Sequence, residues 1–270
     1  MAIADRRFAR GARSQVPARW RREPASPESS AETIVHTWTR LLAGLWLFGA
    51  GIALMVRAEL GVSSWDVLHD ALRLHTAFSF GAAVVIVSVV VVLGSAVMGV
   101  KPGPGTIANV LLVGAFTDLV LFTGGLDSLP AAHILTRLMA LLVGVLAIAL
   151  GTAIYIGAGL GAGPRDSLML AAGRRLHVST GTSRALIEGS VLAAGALMGG
   201  RVGPGTAVFA IAIGPAINAS FRLFGMEPPR RARNRHRVRR AAQAAQRWGR
   251  RGQLGTTSSA EKSRYTGGRI

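Results

Sequence analysis

Two aspartates follow a break in the chain at matching places, in Gly61-Val62-Ser63-Ser64-Trp65-Asp66 and in Gly161-Ala162-Gly163-Pro164-Arg165-Asp166. Each stretch reads as a turn that opens a helix. Ser63 is a helix-capping type with Asp66 as its reciprocal partner three residues on, and in the second copy Gly163 caps with Pro164 at the first helical position. A helix start offers unpaired backbone N–H groups and the positive end of the macrodipole. The carboxylates therefore have two readings: they complete caps and nothing more, or, with Ser63, Trp65 and Arg165, they bound a substrate pathway. Capping alone accounts for residue type and spacing, so both readings stand.

A second pair of elements, Gly103-Pro104-Gly105-Thr106 and Gly203-Pro204-Gly205-Thr206, comes just after Lys101 or Arg201 and opens an apolar run. Gly and Pro force a tight turn, and Thr can cap the helix beyond it. Such turns commonly join membrane helices, and their recurrence also allows them to line the entrances of a pathway. Asp118 and Asn218 form a third matched pair, polar inside or at the edge of an apolar run, where an acid is a functional candidate by default. Arg184 and Glu188 are spaced to neutralise each other on one helix. His69, His75, His133 and His177 share no metal-ligand spacing, and no phosphate-binding loop, nucleophile elbow or zinc-protease motif is present. The chain has no cysteine, hence no thiolate site. The expectation is a protein without metal or cofactor, and not an enzyme.

All these pairs lie 100 positions apart, and Leu41 to Asp118 aligns with Leu141 to Asn218 without a gap. The matches fall on glycines, prolines and an aspartate as well as on apolar residues, which composition alone does not produce. The chain is an internal duplication.

The elements that must carry these residues are membrane helices. No Lys, Arg, Asp or Glu occurs in 41–56, 74–100, 138–164 or 202–221, and about 20 apolar residues suffice to cross about 30 Å of hydrocarbon. The breaks divide the chain into six spans, near Ile34–Val56, Ser79–Met98, Gly105–Thr123, Thr136–Ile156, Ser183–Gly199 and Gly205–Leu223. The helix from Trp65 to about Leu74, with Trp65, Leu68 and Leu72 on one face and Asp66, Asp70 and Arg73 elsewhere, suits a short amphipathic or re-entrant element. The expected architecture is an all-α polytopic bundle, with membrane repeats at 34–125 and 134–225. Three spans per repeat make the second copy enter the bilayer from the opposite side.

The formal net charge of +18 and a pI near 11.9 arise mainly from two tails, 1–33 and 230–270, which lack the apolar content to fold alone. Lys and Arg accumulate on the cytoplasmic side, so both termini are expected there and the number of spans is even. The partners expected are the lipid bilayer, anionic headgroups at the basic tails and a small solute, with nucleic acid disfavoured because surface adsorption accounts for the same charge. No motif encodes a substrate, a coupling ion or an oligomeric state.

Gly61-Val-Ser-Ser-Trp-Asp-Val-Leu-His-Asp70, Phe78-Ser-Phe-Gly81, Lys101-Pro-Gly-Pro-Gly-Thr-Ile-Ala-Asn109 and Gly161-Ala-Gly-Pro-Arg-Asp-Ser-Leu-Met169 resemble the YczE/YitT-like family of bacterial multi-pass membrane proteins. The resemblance covers roughly residues 38–225. It implies the bacterial inner membrane and transfers neither a catalytic residue nor a substrate. Two functions remain: a small transporter or permease with a site bounded by the segments around Asp66 and Asp166, or a membrane scaffold or regulator acting through its basic tails.

Overall fold

The computed structural model describes residues 27–225 apart from Ala162, and both basic tails lie outside the described residues except for 27–33. The described chain is helical: α1 (Pro27–Ala58), α2 (Ser64–Leu74), α3 (Phe80–Val97), α4 (Pro104–Phe122), α5 (Ile134–Gly157), α6 (Pro164–Arg175), α7 (Thr180–Leu197) and α8 (Pro204–Leu223). Helix α1 is helical from Pro27, the first described residue, ahead of the expected boundary near 34.

Five of the eight, α1, α3, α4, α5 and α8, are long and apolar enough to cross a membrane. Of the six expected spans, α7 falls short in apolarity although it matches α3 in length at 18 residues, because Arg184 and Glu188 interrupt it. Large apolar side chains such as Val90, Leu93, Leu111, Leu146 and Ile211 lie on the outside, the arrangement a lipid solvent favours. Helices α2 and α6, at 11 and 12 residues, are too short to span. At 1.5 Å per residue each is about 16–18 Å long.

The core is the crossing of α1 and α5, which make the most extensive contact in the molecule. A Cβ on Gly44 would come within 2.9 Å of the Gly151 carbonyl oxygen, and one on Gly51 within 2.7 Å of that of Gly144. The two helices therefore touch backbone to backbone, the close approach that small residues allow between membrane helices. Around this seam the contacts are reciprocal: α1 packs on α4 as α5 packs on α8, and α2 packs on α7 as α6 packs on α3.

The repeated Gly-Pro-Gly-Thr turns secure the two halves to each other. The Gly105 N–H donates to the Leu160 carbonyl at 2.9 Å, and the Gly205 N–H donates to that of Leu60 at 2.6 Å. Gly61 and Gly161 take φ of 108° and 132° where these turns approach, a backbone that side chains rarely adopt. A Cβ on Gly61 would stand 2.7 Å from the Gly203 nitrogen. Gly103, Pro104, Gly105 and Thr106, with Gly203, Pro204, Gly205 and Thr206, thus form two crossed latches.

The reciprocity fails in one place. Helices α3 and α4 pack together, whereas α7 and α8 scarcely touch. A Cβ on Gly114 would collide with the Gly81 carbonyl, but one on the equivalent Gly214 would meet nothing within 4 Å.

Candidate functional site: a cavity between the two halves

The start of α2 is set by Ser63, whose Oγ accepts from the Asp66 N–H and donates to the Asp66 carboxylate. That carboxylate does more than cap. It lies 3.1 Å from His69 Nδ1 and 3.6 Å from the Arg165 guanidinium, which itself stacks 5.3 Å above the Trp65 ring. The polar face of the short amphipathic helix α2 is enclosed by protein. Asp66, His69 and Asp70 are as fully buried as Trp65, because the charged face packs on protein instead of meeting water. Asp70 accepts from Arg201 Nε at 2.9 Å, from the Arg201 backbone N–H at 3.1 Å and from Arg73 at 3.1 Å, and so ties the turn after α7 to α2.

Between the halves lies a cavity of about 90 Å³. Most of its wall comes in equivalent pairs, Phe48 with Ile148, Ser64 with Pro164, Trp65 with Arg165, Val84 with Arg184, Ser88 with Glu188, Asn109 with Phe209 and Val113 with Ile213, and the second half alone adds Thr152, Tyr155, Gly163, Asp166, Met169 and Ile217. Both short helices point their first turns at it. The pairs are equivalent in position but not in chemistry. Where the first half supplies Val84 and Ser88, the second supplies Arg184 and Glu188, joined by a 2.8 Å hydrogen bond. Asp166 also lines the cavity, with the Tyr155 phenol as its hydrogen-bonding neighbour.

The two aspartates titrate in opposite directions. Burial raises the pKa of Asp66, but hydrogen bonds from His69 and Ser63 and the charge of Arg165 outweigh this and leave it below the usual carboxylate range. Burial also raises Asp166, Glu188 adds to the rise, and Arg184 and Arg165 together do not reverse it. The sequence explains the difference. Ser63 and His69, which serve Asp66, have Gly163 and Met169 as their counterparts.

Of the residues singled out from sequence, Trp65, Arg165 and Asp166 line the cavity and Asp66 stands directly behind it. Ser63 serves α2. Asp118 is elsewhere: it accepts from the Ser79 hydroxyl and, at 2.7 Å, from the Gly81 N–H, fastening the start of α3 to α4 beside a second, open cavity of about 660 Å³. Asn218 is exposed. Sequence reasoning passed over Arg184, Glu188, Tyr155 and Asn109 as site residues. For Arg184 and Glu188 a signal existed, since the residues one repeat earlier, Val84 and Ser88, are uncharged.

The family of unknown function DUF6198 matches residues 35–222 of the chain. An uncharacterized protein of Haemophilus influenzae is 34% identical over 188 residues, covering 70% of this chain and 84% of its own. The uncharacterized membrane protein YczE of Bacillus subtilis is 33% identical over 186 residues, covering 68% and 84%. No solved structure matches. The match spans every helix that shapes the cavity, and with two relatives of similar extent, one of them a membrane protein, it places this chain in the DUF6198 family as a YczE-like multi-pass membrane protein.

Proposed function

We propose that this protein is a small-solute transporter of the bacterial inner membrane, built as an inverted pair of repeats with both termini cytoplasmic, whose central cavity opens alternately to the two faces. The observation that carries the reading is the paired wall of the cavity: a site at the junction of duplicated halves, entered by the starts of two short helices, is the arrangement secondary transporters use. The unequal packing supports it. One gap between matched helices, α3–α4, is closed by Gly81, Gly114 and Asp118, while its counterpart α7–α8 is slack. Exchanging the two packings would reverse the direction of opening with little other change.

The chain has no native cysteine, so a single one reports cleanly. Ser88→Cys places a thiol in the cavity wall. Labelling with a membrane-impermeant maleimide in right-side-out and inverted vesicles is expected from both faces. Labelling confined to one face, or absent from both in protein that labels fully once denatured, would overturn alternating access.

A further inference from the structure

The charges around the cavity do not cancel. Asp66, Asp166 and Glu188 bring carboxylates; Arg165 and Arg184 bring guanidiniums. Arg165 lies 3.6 Å from Asp66, and Arg184 bonds Glu188 at 2.8 Å. Asp166 has no ion pair within 4 Å among the described residues. His69 would restore balance only as an imidazolium, but burial outweighs Asp66 and holds its pKa below the ordinary value. Tyr155 contributes a neutral hydroxyl, and Asp70 is already engaged by Arg73 and Arg201. One negative charge is left over on a half-buried carboxylate, and a charge withdrawn from water without a partner is costly. A proton or a bound cation removes it.

A second, independent feature stands in the same wall. The Trp65 indole N–H is buried without a hydrogen-bond partner among the described residues, although Trp65 is only 4% exposed. Indole N–H is a donor only, so any group that satisfies it must bring an acceptor. The cavity volume, about 90 Å³, corresponds to roughly six to nine waters at 10–15 Å³ each, and so admits a solute of a few heavy atoms.

We propose that the cavity binds a small organic monocation carrying a hydroxyl or carbonyl acceptor, with Asp166 as its counter-ion and Trp65 as its donor, and that the cation and a proton compete for Asp166. Binding converts the carboxylic acid to a carboxylate paired with the cation and releases that proton to water. A zwitterion brings no net charge and leaves the imbalance in place. The raised pKa of Asp166 agrees with a proton held there when no cation is bound. The groups facing it are Arg165 on its own helix, Tyr155 on α5, and Arg184 and Glu188 on α7.

This inference rests on the transporter reading for its purpose but not for its test. Ethanolamine, ethylammonium, glycine and ethylene glycol are titrated into detergent-solubilised full-length protein between pH 5 and pH 8, with calorimetry reading affinity and an indicator dye reading released protons. Ethanolamine is expected to bind most tightly, to weaken about tenfold per pH unit below the pKa of Asp166, and to release up to about one proton per chain, the limit for a single competing site. Asp166→Asn should abolish the pH dependence and weaken ethanolamine at least tenfold. Trp65→Phe should erase the preference for ethanolamine over ethylammonium. Glycine binding as well as ethanolamine, pH-independent binding, or unchanged binding in Asp166→Asn would overturn the proposal. Should that variant fail to fold, the wild-type titrations decide by themselves. Two-faced labelling of Ser88→Cys without cation binding would remove this inference alone, and cation binding with one-faced labelling would remove transport alone.

Discussion

Gly114 and Gly214 occupy equivalent positions in α4 and α8, so the same substitution at each measures how differently the halves are packed. At Gly114 an added Cβ runs into the Gly81 carbonyl and the Val85 side chain; at Gly214 it meets nothing within 4 Å. Replacing a helical glycine gains up to about 1 kcal/mol of helix propensity, whereas forcing extra carbon into a closed interface costs about 1–3 kcal/mol. Gly114→Val adds three carbons to a contact with no room for one, so the upper part of that range applies. Gly214→Val should fall within about 0.5 kcal/mol of wild type, as for a surface change. In the proposed transport cycle the roles would reverse, because α7 and α8 would close when α3 and α4 part. A bias of about 1–3 kcal/mol shifts a two-state population by about 5–150-fold. Gly214→Val should therefore leave unfolding in detergent unchanged while restricting Ser88→Cys labelling to one vesicle face, and Gly114→Val should lower stability and favour the opposite face. Equal unfolding losses for the two variants would refute the packing difference. Two-faced labelling in Gly214→Val would refute the exchange of packings.

Other outcomes depend on single contacts. Gly51→Leu must push apart the α1–α5 seam, where the Gly144 carbonyl stands 2.7 Å from the position of a Cβ, and should destabilise the protein in thermal unfolding by about 1–3 kcal/mol. Asp70 is held below the usual carboxylate range because Arg201 and Arg73 outweigh the effect of burial. Its contribution is therefore complete above the unfolded pKa of about 3.9 and is lost as pH falls through the lower folded value. Asp70→Asn should cost about 1.5–3 kcal/mol at neutral pH, the range for hydrogen bonds to charged groups, and the difference from wild type should vanish in strong acid. Topology reporters fused after Pro130 and after Arg240 should report an external and a cytoplasmic site respectively; a cytoplasmic first site or an external second one contradicts six spans with both termini inside.

Helix positions are legible in the sequence because membrane helices announce themselves twice, by apolar length and by the breaks between them. Ser79 and Ser179 cap α3 and α7 with their hydroxyls, and Pro104 and Pro204 open α4 and α8, all local events. The recurrence at 100 residues is legible for the same reason, since Gly61, Gly103 and their counterparts fix backbone shape. Partners across the fold are not. Nothing local says that the turn at Gly203 docks on Leu60, or that Asp118 reaches back to Ser79 and Gly81. The pattern of α2 separates Trp65 and Leu68 from Asp66 and Asp70 but does not say what stands opposite the acids. Arg165 and Arg201, distant in sequence, take that place. Arg184 and Glu188 read as self-neutralising, and they do bond each other. What one helix cannot show is that their pair forms a cavity wall.

The divergence of the halves around a preserved aspartate bears most directly on function. Asp66 is enclosed by partners that lie at or within α2, the Ser63 hydroxyl and His69, with Arg165 arriving from the other half. At the matching positions of α6, Gly163 has no side chain and Met169 no ionisable group. A hydroxyl at 163 has little space, because a Cβ there would stand 2.8 Å from the Tyr155 oxygen. The same carboxylate is thus a structural anion in one half and an underpaired group facing the cavity in the other. The surroundings change in step, since Arg184 and Glu188, charged neighbours of Asp166, stand where the first half has Val84 and Ser88. Two identical halves would present each leaflet with the same half-site. Once one aspartate is fixed and the other freed, Asp166 is the carboxylate of the cavity wall without an ion pair among the described residues, and the exchange proposed above would take place there.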